Sequence, residues 1–402
     1  MYTKLLLIGA LLASTAKLCR NQQKDPTPYL FTKTNKKGIS GAEQDSILLS
    51  SISATLDYKL LNNRLEKFKL ILPFEREIIV ERKRYEQTGN SVFWIGNVKD
   101  DPQSIVYLTY TGSALNGRIN IGKEQYRILY TGLNVYNIAR IDPLKSIDDD
   151  NDAKQPDQYD STSNRQTLAC SDPKTEIDVL VVYTSDAEKG AGGRDGMESL
   201  IAQSVNLTNV SYEISKVDHR IKLVHHDKVA YTESGNTATD VTALQSQTDG
   251  KMDDVHLLRN LYKADIVVLI VEKTQGNTAG QAYSILNTLS SSFENKAFCI
   301  VKRENSADNL TFAHEIGHLL GGRHFDDTDI TPFPYCHGHQ DGTYRTIMSK
   351  DKSTIRLTYF SNPSVKFPSG SITGVPGISE NYKVFNQTAA IVSKFRCRTS
   401  SN

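Results

Sequence analysis

Short apolar runs separated by turn signals fill the first third of the chain, and a different rhythm replaces them after residue 175. Lys67-Phe-Lys-Leu-Ile-Leu72, Glu77-Ile-Ile-Val-Glu-Arg82, Ser91-Val-Phe-Trp-Ile95, Ser104-Ile-Val-Tyr-Leu-Thr109, Gly117-Arg-Ile-Asn-Ile121 and Gln125-Tyr-Arg-Ile-Leu129 are rich in β-branched and aromatic residues. Thr88-Gly-Asn90 and Asp100-Asp-Pro102 punctuate them. Such runs predict the strands of an all-β module, a sandwich or a meander. The stretch 21–50 is polar and uneven and reads as a loose leader.

Downstream, strand and helix signals alternate. Ile177-Asp-Val-Leu-Val-Val-Tyr-Thr184 is a nearly continuous apolar strand, and Met197, Leu200, Ile201, Ser204, Val205, Thr208 and Tyr212 fall on helical spacing. A second strand over Arg220–His226, a second helix over Met252–Tyr262 and a third strand over Ala264–Val271 follow. Parallel strands need long crossovers, which helices supply, so this alternation predicts an α/β domain with a mostly parallel twisted sheet.

Between the two patterns, residues 146–171 hold Asp148, Asp149, Asp150, Asn151 and Asp152 and almost nothing apolar. A segment that cannot bury enough surface to offset its ordering entropy stays exposed and open to proteolysis. The expected organisation is a leader over 1–16, a β-rich module over 17–145, an acidic and polar linker over 146–174 and an α/β domain over 175–402.

The N-terminal 16 residues carry one cation, Lys4, then an apolar stretch from Leu5 to Ala13, then Ser14-Thr15-Ala16. That order suits a secretory signal, so the expected location is secreted, periplasmic or cell-surface. Cys19 is a less favoured lipid-anchor site, because Leu18 stands where a lipoprotein signal wants a small residue. In an exported chain, Cys170, Cys299, Cys336 and Cys397 can form two disulfides. Three pairings are open; the reading favours Cys299 with Cys336, and Cys170 with Cys397 clamping the ends of the downstream domain.

Composition narrows the function. The 402 residues carry 47 Lys+Arg against 46 Asp+Glu, a formal net charge of +1. Nucleic-acid binders usually show a clear basic excess, so nucleic acid is not an expected partner. Beyond the first 16 residues no apolar run approaches the ~20 residues that span a bilayer, and no integral membrane segment is expected in the mature chain.

The chemistry concentrates in His314-Glu-Ile-Gly-His-Leu-Leu-Gly-Gly-Arg-His324. On a helix, positions i and i+4 share a face, so His314 and His318 can offer two imidazole nitrogens to one Zn²⁺. Glu315 stands beside them as the general base. Gly321 can take a positive φ, end the helix and turn the chain so that His324 returns as third ligand. Three protein ligands leave a fourth position open, as catalytic zinc requires.

This segment resembles the metzincin signature His-Glu-x-x-His-x-x-Gly-x-x-His at every defined position. Thr346-Ile-Met-Ser349 is similar to the metzincin methionine turn, with Met348 as a packing floor beneath the histidines. Within the metzincins the chain resembles the bacterial peptidyl-Asp metalloendopeptidases, which are reprolysin-like. The likeness runs from Thr175 to Arg396, through Tyr231-Thr-Glu-Ser-Gly235, Phe312-Ala-His-Glu315 and Tyr359-Phe-Ser-Asn-Pro363; Phe93-Trp-Ile-Gly96 is similar to that family's pro-region. Phe325 departs from the Asp that usually follows the third histidine, which leaves open how the His324 loop is anchored. Lys350 stands where astacin-like enzymes carry a tyrosine ligand.

The resemblance implies a zymogen of a zinc-dependent endopeptidase, with one Zn²⁺ per chain and peptide bonds hydrolysed by a Glu315-activated, zinc-bound water. It also implies a substrate-pairing edge strand over Ala279–Ser284, with Gly280 and Ala282 in contact with extended protein or peptide substrate. Preference for bonds before Asp would need a cation in the receiving pocket, and Arg356, after the methionine turn, is the candidate. Two other readings are an inactive metzincin-like binding or adhesion module, against which the intact Glu315 argues, and a surface-anchored lipoprotein.

Overall fold

A computed structural model describes residues 26–39, 47–62, 65–145, 153–154, 176–283 and 291–397. The signal segment, Cys19, Cys170 and most of the acidic linker lie outside the described residues.

Among the described residues, the N-terminal part holds nine strands: β1 (Phe31–Lys33), β2 (Leu48–Leu56), β3 (Lys67–Leu72), β4 (Arg76–Thr88), β5 (Ser91–Val98), β6 (Asp101–Thr111), β7 (Ala114–Ile121), β8 (Glu124–Gly132) and β9 (Val135–Ile141). A short helix α1 (Tyr58–Asn62) follows β2. The sheet order is β1-β2-β9-β8-β7-β6-β5-β4-β3, and every pairing is antiparallel. From β3 to β9 tight turns leave no other choice, since a chain that reverses within a few residues can only pair antiparallel. The chain just before β1 closes the sheet on β3: Leu30 N–H donates to Lys69 O at 3.0 Å, and Lys69 N–H donates to Pro28 O at 2.8 Å. The result is a small barrel filled by Phe68, Leu70, Trp94, Leu108, Leu115, Ile119, Ile128 and Tyr136. Part of the stretch 21–50 read as a loose leader is therefore ordered: residues 31–33 form β1 and residues 48–50 begin β2, which is half-buried along an alternating sequence.

The second part carries β10 (Ala153–Lys154), β11 (Glu176–Tyr183), α2 (Ser185–Gly190), α3 (Arg194–Ser215), β12 (Arg220–Lys228), α4 (Thr237–Gln245), α5 (Asp253–Tyr262), β13 (Ile266–Val271), β14 (Gly280–Tyr283), β15 (Phe298–Lys302), α6 (Thr311–Leu319), β16 (Tyr344–Arg345), β17 (Ile355–Arg356) and α7 (Asn381–Val392). Its sheet runs β10-β14-β15-β13-β11-β12. Here β11, β12, β13 and β15 pair in parallel, and β14 is antiparallel to β15. Strands β11 and β13 are buried almost throughout, as continuous apolar runs in a covered sheet should be.

Across the chain antiparallel pairing prevails, because every strand pairing of the nine-stranded sheet is antiparallel, while the parallel pairing expected of the downstream domain is carried by its own six-stranded sheet. Among the strands of the described residues, parallel pairing occurs in this second sheet and in the two-residue pair β16–β17. The architecture as a whole is mixed α/β.

The two parts share a seam. Helix α3 lies across β5 to β8. Phe93, Ile95 and Tyr107 of the barrel join the same apolar core as Ile201 and Phe312 of the second part.

Candidate functional site

Helix α6 forms because Phe312, Ile316 and Leu319 recur at helical spacing and bury their side chains in the core beside β14 and β15. The opposite register brings His314, Glu315 and His318 together, all with no solvent exposure. The helix stops at Gly321, whose φ of +87° suits glycine, and a Cβ there would meet Pro332 Cγ at 2.8 Å. Gly321 N–H donates to His318 O and Gly322 N–H to Gly317 O, each at 2.8 Å, which closes the last turn. The chain then returns His324 to the face it left.

The three Nε2 atoms lie 3.1 Å (His314 to His318), 3.0 Å (His318 to His324) and 3.2 Å (His324 to His314) apart. His314 Nδ1 lies 2.8 Å from Ile347 O, and His318 Nδ1 lies 2.8 Å from Gly322 O. A carbonyl only accepts, so these Nδ1 atoms carry the protons and their Nε2 lone pairs face the shared centre. Lone pairs converging this closely repel unless a cation sits among them. A tetrahedral zinc with Zn–N of ~2.0–2.1 Å sets its nitrogens about 3.3–3.4 Å apart, close to the spacing found. The residues therefore fit Zn²⁺. Among the described residues, no other cluster of three or more His, Cys, Asp or Glu side chains gathers in this way.

Met348 is buried beneath the triad, and a Cβ at Gly317 would meet its Sδ at 2.6 Å, so the helix and the methionine turn touch at glycine. Glu315 packs against β14: a Cβ at Gly280 would lie 2.3 Å from its Oε1. The run Ala279–Ser284 does form a strand over Gly280–Tyr283, but the outer side of its last two residues is taken within this chain. Ala153 and Lys154 of the linker pair with Ala282 and Tyr283 in parallel.

The His324 loop, despite Phe325, has several anchors. Arg323 donates to Thr331 O at 2.8 Å and pairs with Asp329 at 3.1 Å. Phe325 N–H donates to Met348 O at 3.1 Å. His337 is buried with Nδ1 2.9 Å from His324 O, so its ring holds the backbone of the third ligand. In the sequence Cys336-His-Gly-His339, nothing in residue type or spacing signals that His337 is buried.

Arg356 is 3 % exposed, not a surface charge. Its guanidinium donates to Asn309 O at 3.1 Å and Ser349 O at 3.0 Å, tying the entrance of α6 to the segment after the methionine turn.

The expected Cys299–Cys336 disulfide is absent: both are free, buried thiols. Cys299 points into the sheet core on β15, while Cys336 Sγ donates to Thr331 O at 3.4 Å in the His324 loop. Burial raises both, Cys336 to about 11 and Cys299 well above its ordinary value. Cys397 is disulfide-bonded, and Cys170, the partner expected for it, lies outside the described residues.

A histidine triad, a carboxylate beside it and a strand alongside, set in a mixed α/β fold, define a metallopeptidase. The profile of the reprolysin-like metallopeptidases of family M12B matches residues 173–376, and the chain belongs to that family. It is 33% identical over 313 residues to a peptidyl-Asp metalloendopeptidase of Stenotrophomonas maltophilia strain R551-3, covering 75% of this chain and 72% of that one. It is 29% identical over 334 residues to a peptidyl-Asp metalloendopeptidase of Xanthomonas campestris pv. campestris, covering 77% and 76%. A crystal structure of metalloproteinase-II from Bacteroides fragilis aligns over 82% of this chain and 93% of its own, at 15% identity and a TM-score of 0.47, a distant likeness. The protein is a zinc metalloendopeptidase, a hydrolase of peptide bonds in proteins or peptides.

Proposed function

We propose that the chain is a secreted endopeptidase, made as a proenzyme, that cleaves peptide bonds before acidic residues. The observation that carries the reading is the convergence of three histidine Nε2 atoms within 3.2 Å of one another beside the Glu315 carboxylate.

His314, His318 and His324 would hold Zn²⁺, which when bound supplies Lewis acidity toward water and the scissile carbonyl. Glu315 takes the proton of the attacking water and passes it to the leaving amine, a role worth ~10² to 10⁴ in rate. Ile347 O and Gly322 O fix the tautomers of His314 and His318, and Met348 packs beneath them. Gly280 leaves room for the Glu315 carboxylate. Strand β14 offers its main chain to an extended substrate, with Gly280 and Ala282 at the contact.

Restraint before activation is supported by β10, which occupies the side of β14 where a substrate would pair. Cutting the acidic linker would release it. The preference for Asp is supported by the names of the relatives and by the buried cation Arg356 beside the methionine turn. Replacing Arg356 by Met should lower kcat/KM on Asp peptides by roughly 10 to 200-fold, with little change on apolar ones. The functional test is cleavage of a peptide library by linker-processed protein with and without a zinc chelator. Chelator-sensitive cleavage before Asp or Glu is expected; cleavage indifferent to the chelator would overturn the reading.

A further inference from the structure

The outward face of the barrel's central strands is polar yet buried. Asn116, Arg118 and Asn120 alternate along β7 with inward Leu115 and Ile119, and Gln125 and Arg127 alternate along β8 with Tyr126 and Ile128. Period-two alternation of this kind ordinarily puts the polar set in water. Here it lies against the segments that frame the metal site.

Arg118 is 2 % exposed. Its Nη1 donates to Ala307 O at 3.3 Å and Asp308 O at 2.5 Å, in the loop that leads into α6, and its Nη2 donates to Arg356 O at 3.2 Å on β17. Gln125 Nε2 donates to the same Arg356 carbonyl at 3.3 Å. Arg127 pairs with Asp308 at 3.3 Å, both buried. One guanidinium thus clasps both strips of chain that flank the site, the one before the zinc-ligand helix and the one after the methionine turn. The planar fork of arginine suits this, because it fixes several acceptors in one geometry where a lysine would offer a single point charge. Tyr107 lies 3.4 Å from Thr358 across the same seam.

We propose that the barrel is a standing scaffold of the enzyme that stays bound after the linker is cut, with Arg118, assisted by Gln125, as a positioning residue for the pocket wall at Arg356. This deepens the peptidase reading and rests on it for the wall's role. The shared apolar core of Phe93, Ile95 and Tyr107 with the second part opposes dissociation, since separation would return those side chains to water. The polar clasp sets the register in which that core docks.

The test uses the full chain carrying one engineered protease site between residues 155 and 169. After cutting, gel filtration at micromolar concentration should find both fragments in one peak. Separate elution, with the second part fully active alone, would overturn the scaffold. On the cut complex, Arg118→Met should raise KM for an Asp peptide by roughly 10-fold or more, given that hydrogen bonds from a charged group are worth ~1.5–3 kcal/mol. Zinc content should stay at one per chain, kcat should change less than KM, and Arg118→Lys should recover part of the loss. Should Arg118→Met not fold, Gln125→Leu, which removes a single bond to the same carbonyl, should raise KM by about 2 to 10-fold. Arg84→Ala serves as the control: Arg84 spans the same seam to Glu213 at 2.7 Å, but on its exposed rim and away from the wall. Arg118→Met or Gln125→Leu behaving like Arg84→Ala in KM would refute the positioning role. If even the uncut and cut parent chains hydrolyse nothing, the peptidase reading fails, while co-elution still decides the scaffold.

Discussion

Gly280 and Glu315 meet so closely that no β-carbon fits between them. Gly280→Ala should therefore displace the carboxylate that moves protons and lower kcat by ~10²-fold, within the range general-base catalysis contributes, while zinc stoichiometry stays unchanged. Steady-state kinetics alongside metal analysis checks this; an alanine variant with full kcat would show that Glu315 tolerates the shift. The two free thiols give a second outcome at this scale. Cys299 and Cys336 are buried with raised pKa values, so alkylation should miss both in the native protein and label both after denaturation without reductant. Recovery of a Cys299–Cys336 cross-linked peptide would contradict the structure. The ligands and Glu315 were legible because the chemistry fixes both residue type and spacing. Cysteine pairing was not, because it depends on distances that a one-dimensional reading does not contain. His337 escaped for a related reason: what makes it important is a carbonyl 13 positions away.

Helix α6 and its exit form the element on which the site turns. Gly321→Ala would force an L side chain to a φ of +87° and against Pro332 Cγ. The loop carrying His324 should shift, and zinc affinity should fall by roughly 10 to 100-fold, as it does when support around a ligand is lost. A competitive chelator titration measures this, and an unchanged affinity would mean the loop holds His324 without the glycine turn. The parallel strands β11 and β13 were readable as continuous apolar runs, and the long helix α3 as a helical repeat. Strand β9 went unread, although Val135, Tyr136 and Ile138 stand in it. So did β2, where Ser-Ser-Ile-Ser-Ala-Thr is half-buried only because neighbouring strands cover it. Strand β10 had no signal at all, since an acidic linker acquires strand geometry there only by pairing with β14.

At the scale of the whole molecule, the sequence separated a β-rich part from an α/β part but gave no sign of how they dock. The polar stripe Asn116, Arg118, Asn120, Gln125 and Arg127 has the pattern of a solvated face, and only the structure shows it buried in a seam. Stability should also respond to pH. Desolvation lowers His219, His226 and His256 below their ordinary value, so below about 6.5 the unfolded chain binds protons that the folded chain resists. That stability is present above pH ~6.5 and lost as pH falls toward the depressed folded values. Asp341, held at about 2 by Ser369, Ser371 and the Thr343 and Tyr344 amides against the opposing effect of burial, adds its loss only below pH ~4. Tm should drop between pH 7.5 and 5.5, and the His219→Gln, His226→Gln, His256→Gln triple variant should show a shallower slope; a flat profile in the parent would refute the assignment. The central claim, a zinc site worked by one carboxylate, is tested most directly by Glu315→Ala. The account predicts about one Zn²⁺ per chain and proteolysis reduced by ~10² to 10⁴-fold; a variant that holds its zinc and cleaves peptides at the parent rate would contradict it.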